Sequence, residues 1–184
     1  MAILPIVTYG HPALRQEAKQ VEANEEVREL VENMFETMKN AMGIGLAGNQ
    51  VDALKRIIVI DLSELDDYKD QKPLVLINPE IISQEGEWEM EEGCLSIPIV
   101  RDIVTRAEKI RVRYKDIRFN DVELDADNIL GRVILHEIDH LNGVLFIDHL
   151  PPGRRKFHKG LLQDIKRGEL EIPYPVMTGF EHTS

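Results

Sequence analysis

The chain has a single cysteine, Cys94, in 184 residues, which excludes an internal disulfide framework. It has no apolar run long enough to cross a membrane, and its first residues lack the basic stretch and apolar core of a secretory signal. Cationic excess is missing as well. The 22 Lys and Arg face 33 Asp and Glu, and a net charge of −11 argues against a broad nucleic-acid surface and hence against a DNA partner. Internal repeats and low-complexity tracts are absent. The glycine-rich stretch Gly43-Ile44-Gly45-Leu46-Ala47-Gly48-Asn49-Gln50 has no Lys followed by Ser or Thr and no dinucleotide spacing, so it is not a phosphate loop. The expectation is a compact cytoplasmic protein with no membrane anchor. Its length and 43% hydrophobic content suit one domain, 1–184.

What is present is led by His136-Glu137-Ile138-Asp139-His140. On a helix, residues four apart lie one above the other, so His136 and His140 can bind one metal ion while Glu137 reaches a water on it. The surrounding pattern supports the helix. Leu130, Ile134, Ile138 and Leu141 form a core stripe, and Ile129, Val133, His136 and His140 form the neighbouring one, ending at Asn142-Gly143. A catalytic ion usually takes three protein ligands and keeps a position open. Cys94, in Glu91-Glu92-Gly93-Cys94-Leu95-Ser96, is the candidate third ligand, because Gly93 permits a close approach and a metal would ionise the thiol. Three glycines in six residues at 43–48 exceed what a helix stop needs. They suggest a backbone left bare for something extended, with the Gln50 amide at its end.

Asn24 is expected to cap a helix whose apolar face is Val27, Leu30, Val31, Met34, Phe35, Met38 and Met42. Strands are expected at Arg56–Asp61, Leu74–Ile82, Glu87–Glu92 and Ile110–Tyr114. Strands bunched between two helices predict an α+β fold, with mainly antiparallel sheet packed around the central helix carrying HEIDH.

Taken together, GIGLAGNQ at 43–50, EGCLS at 92–96 and HEIDH at 136–140 resemble the three motifs of peptide deformylases, in that order and at about those separations. The resemblance runs from Ile3 to Asp148 and fades after Pro151. Relatives more often carry Ala at 48, Gly at 52 and Gln at 135, where this chain has Gly48, Asp52 and Leu135. It implies a hydrolase that removes the N-formyl group from the initiator methionine of new polypeptides and releases formate. A metal-bound hydroxide would attack the formyl carbon, Glu137 would serve as general acid and base, and Leu95 N–H with the Gln50 amide would stabilise the oxyanion. Gly43, Ile44, Gly45, Met90, Gly93, Ile129 and Val133 are the candidate substrate contacts. The implied cofactor is one divalent ion, Fe2+, with Zn2+, Ni2+ or Co2+ able to occupy the purified protein. Alternatives are an HExxH zinc metallopeptidase, whose third ligand is commonly a downstream His or Glu, and a non-catalytic metal-binding homologue.

Beyond the motifs, residues 153–168 read as a basic C-terminal helix and 173–184 as a tail after Pro173 and Pro175. Arg154, Arg155, Lys156, Lys159, Lys166 and Arg167 would point outward while Phe157, Leu161, Leu162 and Ile165 dock. A transient ribosome contact through 154–167 is the partner this suggests, beside the formyl-methionyl nascent chains themselves. Arg132 has two candidate roles, rimming the pocket or pairing with Glu92.

Overall fold

A computed structural model describes residues 1–179. After the short strand β1 (Ile6–Val7), the Asn24 side chain accepts a hydrogen bond from Val27 N at 2.9 Å and starts helix α1 (Glu25–Asn40). This is the expected cap, and it satisfies one of the free donors of the first turn. Val27, Val31, Met34 and Met38 are buried along α1. Met42 departs from the expected face. It lies past the helix end at φ 60° and is 91% exposed, because the chain must turn sharply there to enter the glycine segment.

The central sheet has the order β2 (Gly45–Ala47), β3 (Ile57–Ile60), β4 (Leu74–Glu85), β7 (Lys109–Lys115) and β8 (Asp121–Asp127), with every neighbour antiparallel. All four residues of β3 are buried, since the sheet is covered on both sides. Ile57, Val59 and Ile77 pack with the α1 face. Ile58, Ile60 and Leu76 pack with helix α2 (Asn128–Leu141). The α+β fold with a central HEIDH helix is therefore as the sequence pattern suggested, and the stripe Leu130, Ile134, Ile138, Leu141 lies in the core. Leu135 joins that core.

A separate antiparallel hairpin, β5 (Trp88–Cys94) and β6 (Ile97–Arg106), carries the cysteine. Besides the short strands β1, β2 and β9 (Val176–Met177), two longer ones, β6 and β8, were not anticipated. Pro98 masks the first, and in β8 Val122, Leu124 and Ala126 alternate with four acidic residues, whose type is depleted in strands.

The C-terminal region corrects two expectations. The basic helix is two helices, α3 (Pro152–Phe157) and α4 (Lys159–Arg167), broken at His158. The side chain of His158 turns inward to the Asp102 carboxylate at 2.8 Å, and Arg154 Nε donates to the same oxygen at 2.8 Å. Leu162 and Ile165 are buried, whereas Phe157 is 69% exposed beneath the Arg154 guanidinium. The expected tail is in part a strand. Val176–Met177 forms β9, which pairs parallel with β1, so the two prolines redirect the chain rather than release it. Residues 180–184 of that tail lie outside the described residues.

Candidate metal centre and active site

Two elements bring the three candidate ligands together. His136 and His140 project from one face of α2, with ring centroids 5.0 Å apart. Cys94 arrives at the end of β5, where the hairpin register slips: Gly93 is opposite Arg101, but Cys94 is opposite Ile97. The three surplus residues of β6 form a bulge in which Pro98 and Val100 stay buried while Ile99 is exposed and takes a left-handed conformation at φ 75°. A side chain on Gly93 would strike Arg101 at 2.6 Å. Cys94 Sγ thus lies 3.2 Å from His140 Nε2, and one ligand atom from each of Cys94, His136 and His140 falls within 4.8 Å of the others. No other such cluster of His, Cys or acidic groups occurs among the described residues.

The surroundings fit a cation. Glu92 accepts from His136 Nδ1 at 2.8 Å, which leaves the other ring nitrogen for the site, the orientation that carboxylates impose on metal-binding imidazoles. Burial, followed by the charges on His136 and Arg106, holds the His140 pKa well below its ordinary value, so that ring is a neutral donor. For His136 burial works the same way, but the hydrogen bonds to Cys94 and Glu92 outweigh it and the net direction is up. Its protonated form stands where an ion would provide the positive charge.

Glu137 is 4% exposed, and its Oε1 has no hydrogen-bond partner among the described residues. Burial, against the opposing charge of His136, pushes its carboxyl up to about 7. A buried carboxyl with a free oxygen beside three ligand atoms is costly unless that oxygen has work to do.

Behind the three candidate ligands lies a charge network of which the sequence pointed only to Glu92 and Arg132. Glu92 receives Arg106 Nε at 2.7 Å and Arg132 Nη1 at 2.8 Å, all three side chains being nearly inaccessible. Arg132 pairs with Glu92 and also lines the cavity, so both roles raised for it hold; it further donates to Val104 O and Trp88 O, both at 2.8 Å. Arg106 Nη1 reaches Asp139, which also binds His149. Burial opposes ionisation of Glu92, yet His136 and Arg106 carry its pKa well down. Arg106 and His149 were missed because a lone Arg ending a strand and a His after a turn carry no spacing signal.

Gln50 sits 3.1 Å from Ser96 Oγ and 3.5 Å from Cys94 Sγ through Nε2, while its Oε1 accepts from Ala47 N at 2.9 Å. That backbone bond fixes the amide so that its NH2 faces the cysteine. A cavity of about 550 Å³ opens over the site, and all seven predicted substrate contacts, Gly43, Ile44, Gly45, Met90, Gly93, Ile129 and Val133, line it. Residues 171–174 also line it, and for Pro173 and Tyr174 the reading of 173–184 as a tail did not foresee this.

The glycines have an internal reason besides any substrate. A Cβ on Gly43 would meet Leu95 Cδ1 at 2.6 Å, and one on Gly45 would meet Glu137 Oε2 at 2.7 Å and Val133 Cγ1 at 2.8 Å. At Gly48 it would meet the carbonyls of Ala53 and Lys55 at 2.6 and 2.5 Å. The loop is drawn in at this point, and Asp52 takes the left-handed conformation at φ 59° that favours glycine.

A carboxylate sequestered beside three atoms that could hold a metal is the arrangement of metal-dependent hydrolases, the class to which this chain belongs. Its relatives are consistent and specific. The polypeptide deformylase family model matches residues 3–156, and the chain belongs to that family. A peptide deformylase of Salinibacter ruber is 47% identical over 190 residues, covering 98% of this chain and 97% of that protein, so this likeness continues past Pro151. Among solved structures, a peptide deformylase of Legionella pneumophila superimposes with a TM-score of 0.84 at 40% identity, covering 91% of this chain and 98% of the other. One from Synechococcus elongatus, in complex with actinonin, gives 0.81 at 41% identity over 95% of this chain and 92% of the other.

Because Gly45 leaves room for Glu137, Gly45→Ala is expected to displace that carboxylate. Formate release from a formyl-methionyl peptide should fall by about 10- to 100-fold with metal content unchanged, as steady-state kinetics and metal analysis would report.

Proposed function

We propose that this chain removes the N-formyl group from the initiator methionine of newly made polypeptides, releasing formate. In this reading Cys94, His136 and His140 hold one divalent ion, and Glu137 moves the proton. Glu137 carries the proposal: its buried, unpartnered Oε1 beside the three ligand atoms suits a group that takes a proton from water in a dry site. The bound ion supplies Lewis acidity and lowers the pKa of a coordinated water to around 7. Ferrous iron is the metal favoured by resemblance to the family, while the Cys and His donors also suit zinc, nickel and cobalt.

Glu137 Oε1 accepts the proton of the attacking water and passes it to the departing amine nitrogen, which cannot leave as an anion. Its carboxyl, near 7 from burial and lowered again by a nearby cation, can do both around neutral pH. Leu95 N–H and Gln50 Nε2 are the donors for the tetrahedral oxygen, each worth about 3 kcal/mol in such roles. Ile44, Met90, Ile129 and Val133 supply apolar walls for the methionine side chain. The peptide beyond runs extended between residues 43–45 and β5, with Met42 and Ile99 exposed at the cavity mouth.

A ribosome contact through 154–167 remains part of this reading, in reduced form. Arg154 is tied to Asp102, and Arg155 lies 4.0 Å from Asp148, so Lys156, Lys159, Lys166 and Arg167 are the cations of this set left for a polyanion. Changing those four to Glu should weaken low-salt sedimentation with ribosomes and leave activity on a short formyl peptide intact; unchanged sedimentation would remove the contact.

The function itself is tested by loading the protein with Fe2+, Ni2+ or Zn2+ and following formate release from a formyl-methionyl peptide. Glu137→Ala should retain the ion and lose about 100-fold or more in turnover. Cys94→Ala should lose tight metal binding, and full occupancy in that variant would contradict the ligand set.

A further inference from the structure

Between Cys94 and Ile97 the β5–β6 hairpin turns through only Leu95 and Ser96, and neither carbonyl in that turn has a partner in the ladder. Both find one in the ends of the chain. Ser96 O accepts from Tyr9 N at 2.8 Å, just after β1, and Leu95 O accepts from the Tyr174 hydroxyl at 2.7 Å, just before β9. The two ends are themselves joined, since Ile6 N donates to Pro175 O at 2.9 Å and Thr8 N to Met177 O at 3.0 Å. The strap of residues 170–177 is thereby fixed in register across the turn, and its residues 171–174 form one wall of the cavity. It lies wholly outside the residues matched by the family model.

We propose that this strap belongs to the active site and that Tyr174 is a positioning residue for the oxyanion donor at Leu95. The Leu95 side chain is lodged against Gly43, where its Cδ1 lies 2.6 Å from the position a Cβ would take. Its carbonyl is held by Tyr174. With the side-chain and carbonyl arms of the Leu95 α-carbon held, the position of its nitrogen is held too, and the peptide plane shared with Cys94, itself paired opposite Ile97, sets the direction of the N–H. Hydrolysis needs that donor aimed where negative charge develops, so loosening the carbonyl arm costs the transition state more than the bound substrate. Tyr174 touches no reacting atom in this account; it acts through Leu95.

The inference rests on the role given to Leu95 N–H under the proposed function, and the test separates the two. Full-length, metal-loaded Tyr174→Phe is compared with wild type in steady-state kinetics on a formyl-methionyl peptide, thermal melting, and amide hydrogen exchange of residues 94–97. The expected result is a kcat about fivefold to tenfold lower, a KM within about twofold, an unchanged melting temperature, and faster exchange in the turn. A kcat equal to wild type overturns the proposal. So does a loss that comes with a matching fall in melting temperature and a rise in KM, which would make the strap a mere support for the fold. Wild type that releases no formate would overturn the proposed function instead, and unchanged exchange in Tyr174→Phe would still overturn the clamp.

Discussion

The buried Glu92 carboxylate is the interaction on which the site depends. It sits on β5 two residues before Cys94, and it binds His136 of α2, Arg106 at the end of β6 and Arg132 of α2. One side chain thus ties the strand that delivers the thiol to the helix that delivers both imidazoles. Burying a carboxylate is costly, and two guanidiniums with an imidazole are what offset the cost. Asp139 then balances the second arginine, so that Glu92, Asp139, Arg106 and Arg132 sum to no net charge in the interior. Removing one member of such a set leaves an uncompensated charge, commonly worth about 3–5 kcal/mol.

The remaining constraint is space. Glu137 can stand beside the ligands because Gly45 presents no side chain, and Leu95 can close the turn because Gly43 presents none. These contacts make the glycine motif and the HEIDH helix parts of one steric unit. They also explain why the cavity walls come from residues 42–50, the β5–β6 hairpin, α2 and the C-terminal strap, four segments far apart in sequence.

Much of this was legible in the chain because it rests on local periodicity. The HEIDH helix, its two stripes and the Asn24 cap follow from spacing of three and four residues, and β3 and β7 from length and alternation. Cys94 was readable because it is the single thiol in the sequence. What escaped is non-local. Arg106 and His149 acquire their roles only when the fold brings them to Glu92 and Asp139. Tyr174 reads as a residue between two prolines until β9 pairs with β1. The break at His158 was hidden because the residues on both sides favour helix, and the inward bond to Asp102 overrides that preference.

If Glu92 organises the centre, its effect must appear in metal binding itself, before any chemistry. The direct measurement is the dissociation constant for Zn2+ by chelator competition, in wild type and Glu92→Gln, each checked for folding by circular dichroism. Loss of the carboxylate beside His136 is expected to weaken binding by about 10- to 100-fold in a protein that remains folded. An affinity equal to wild type would contradict the account.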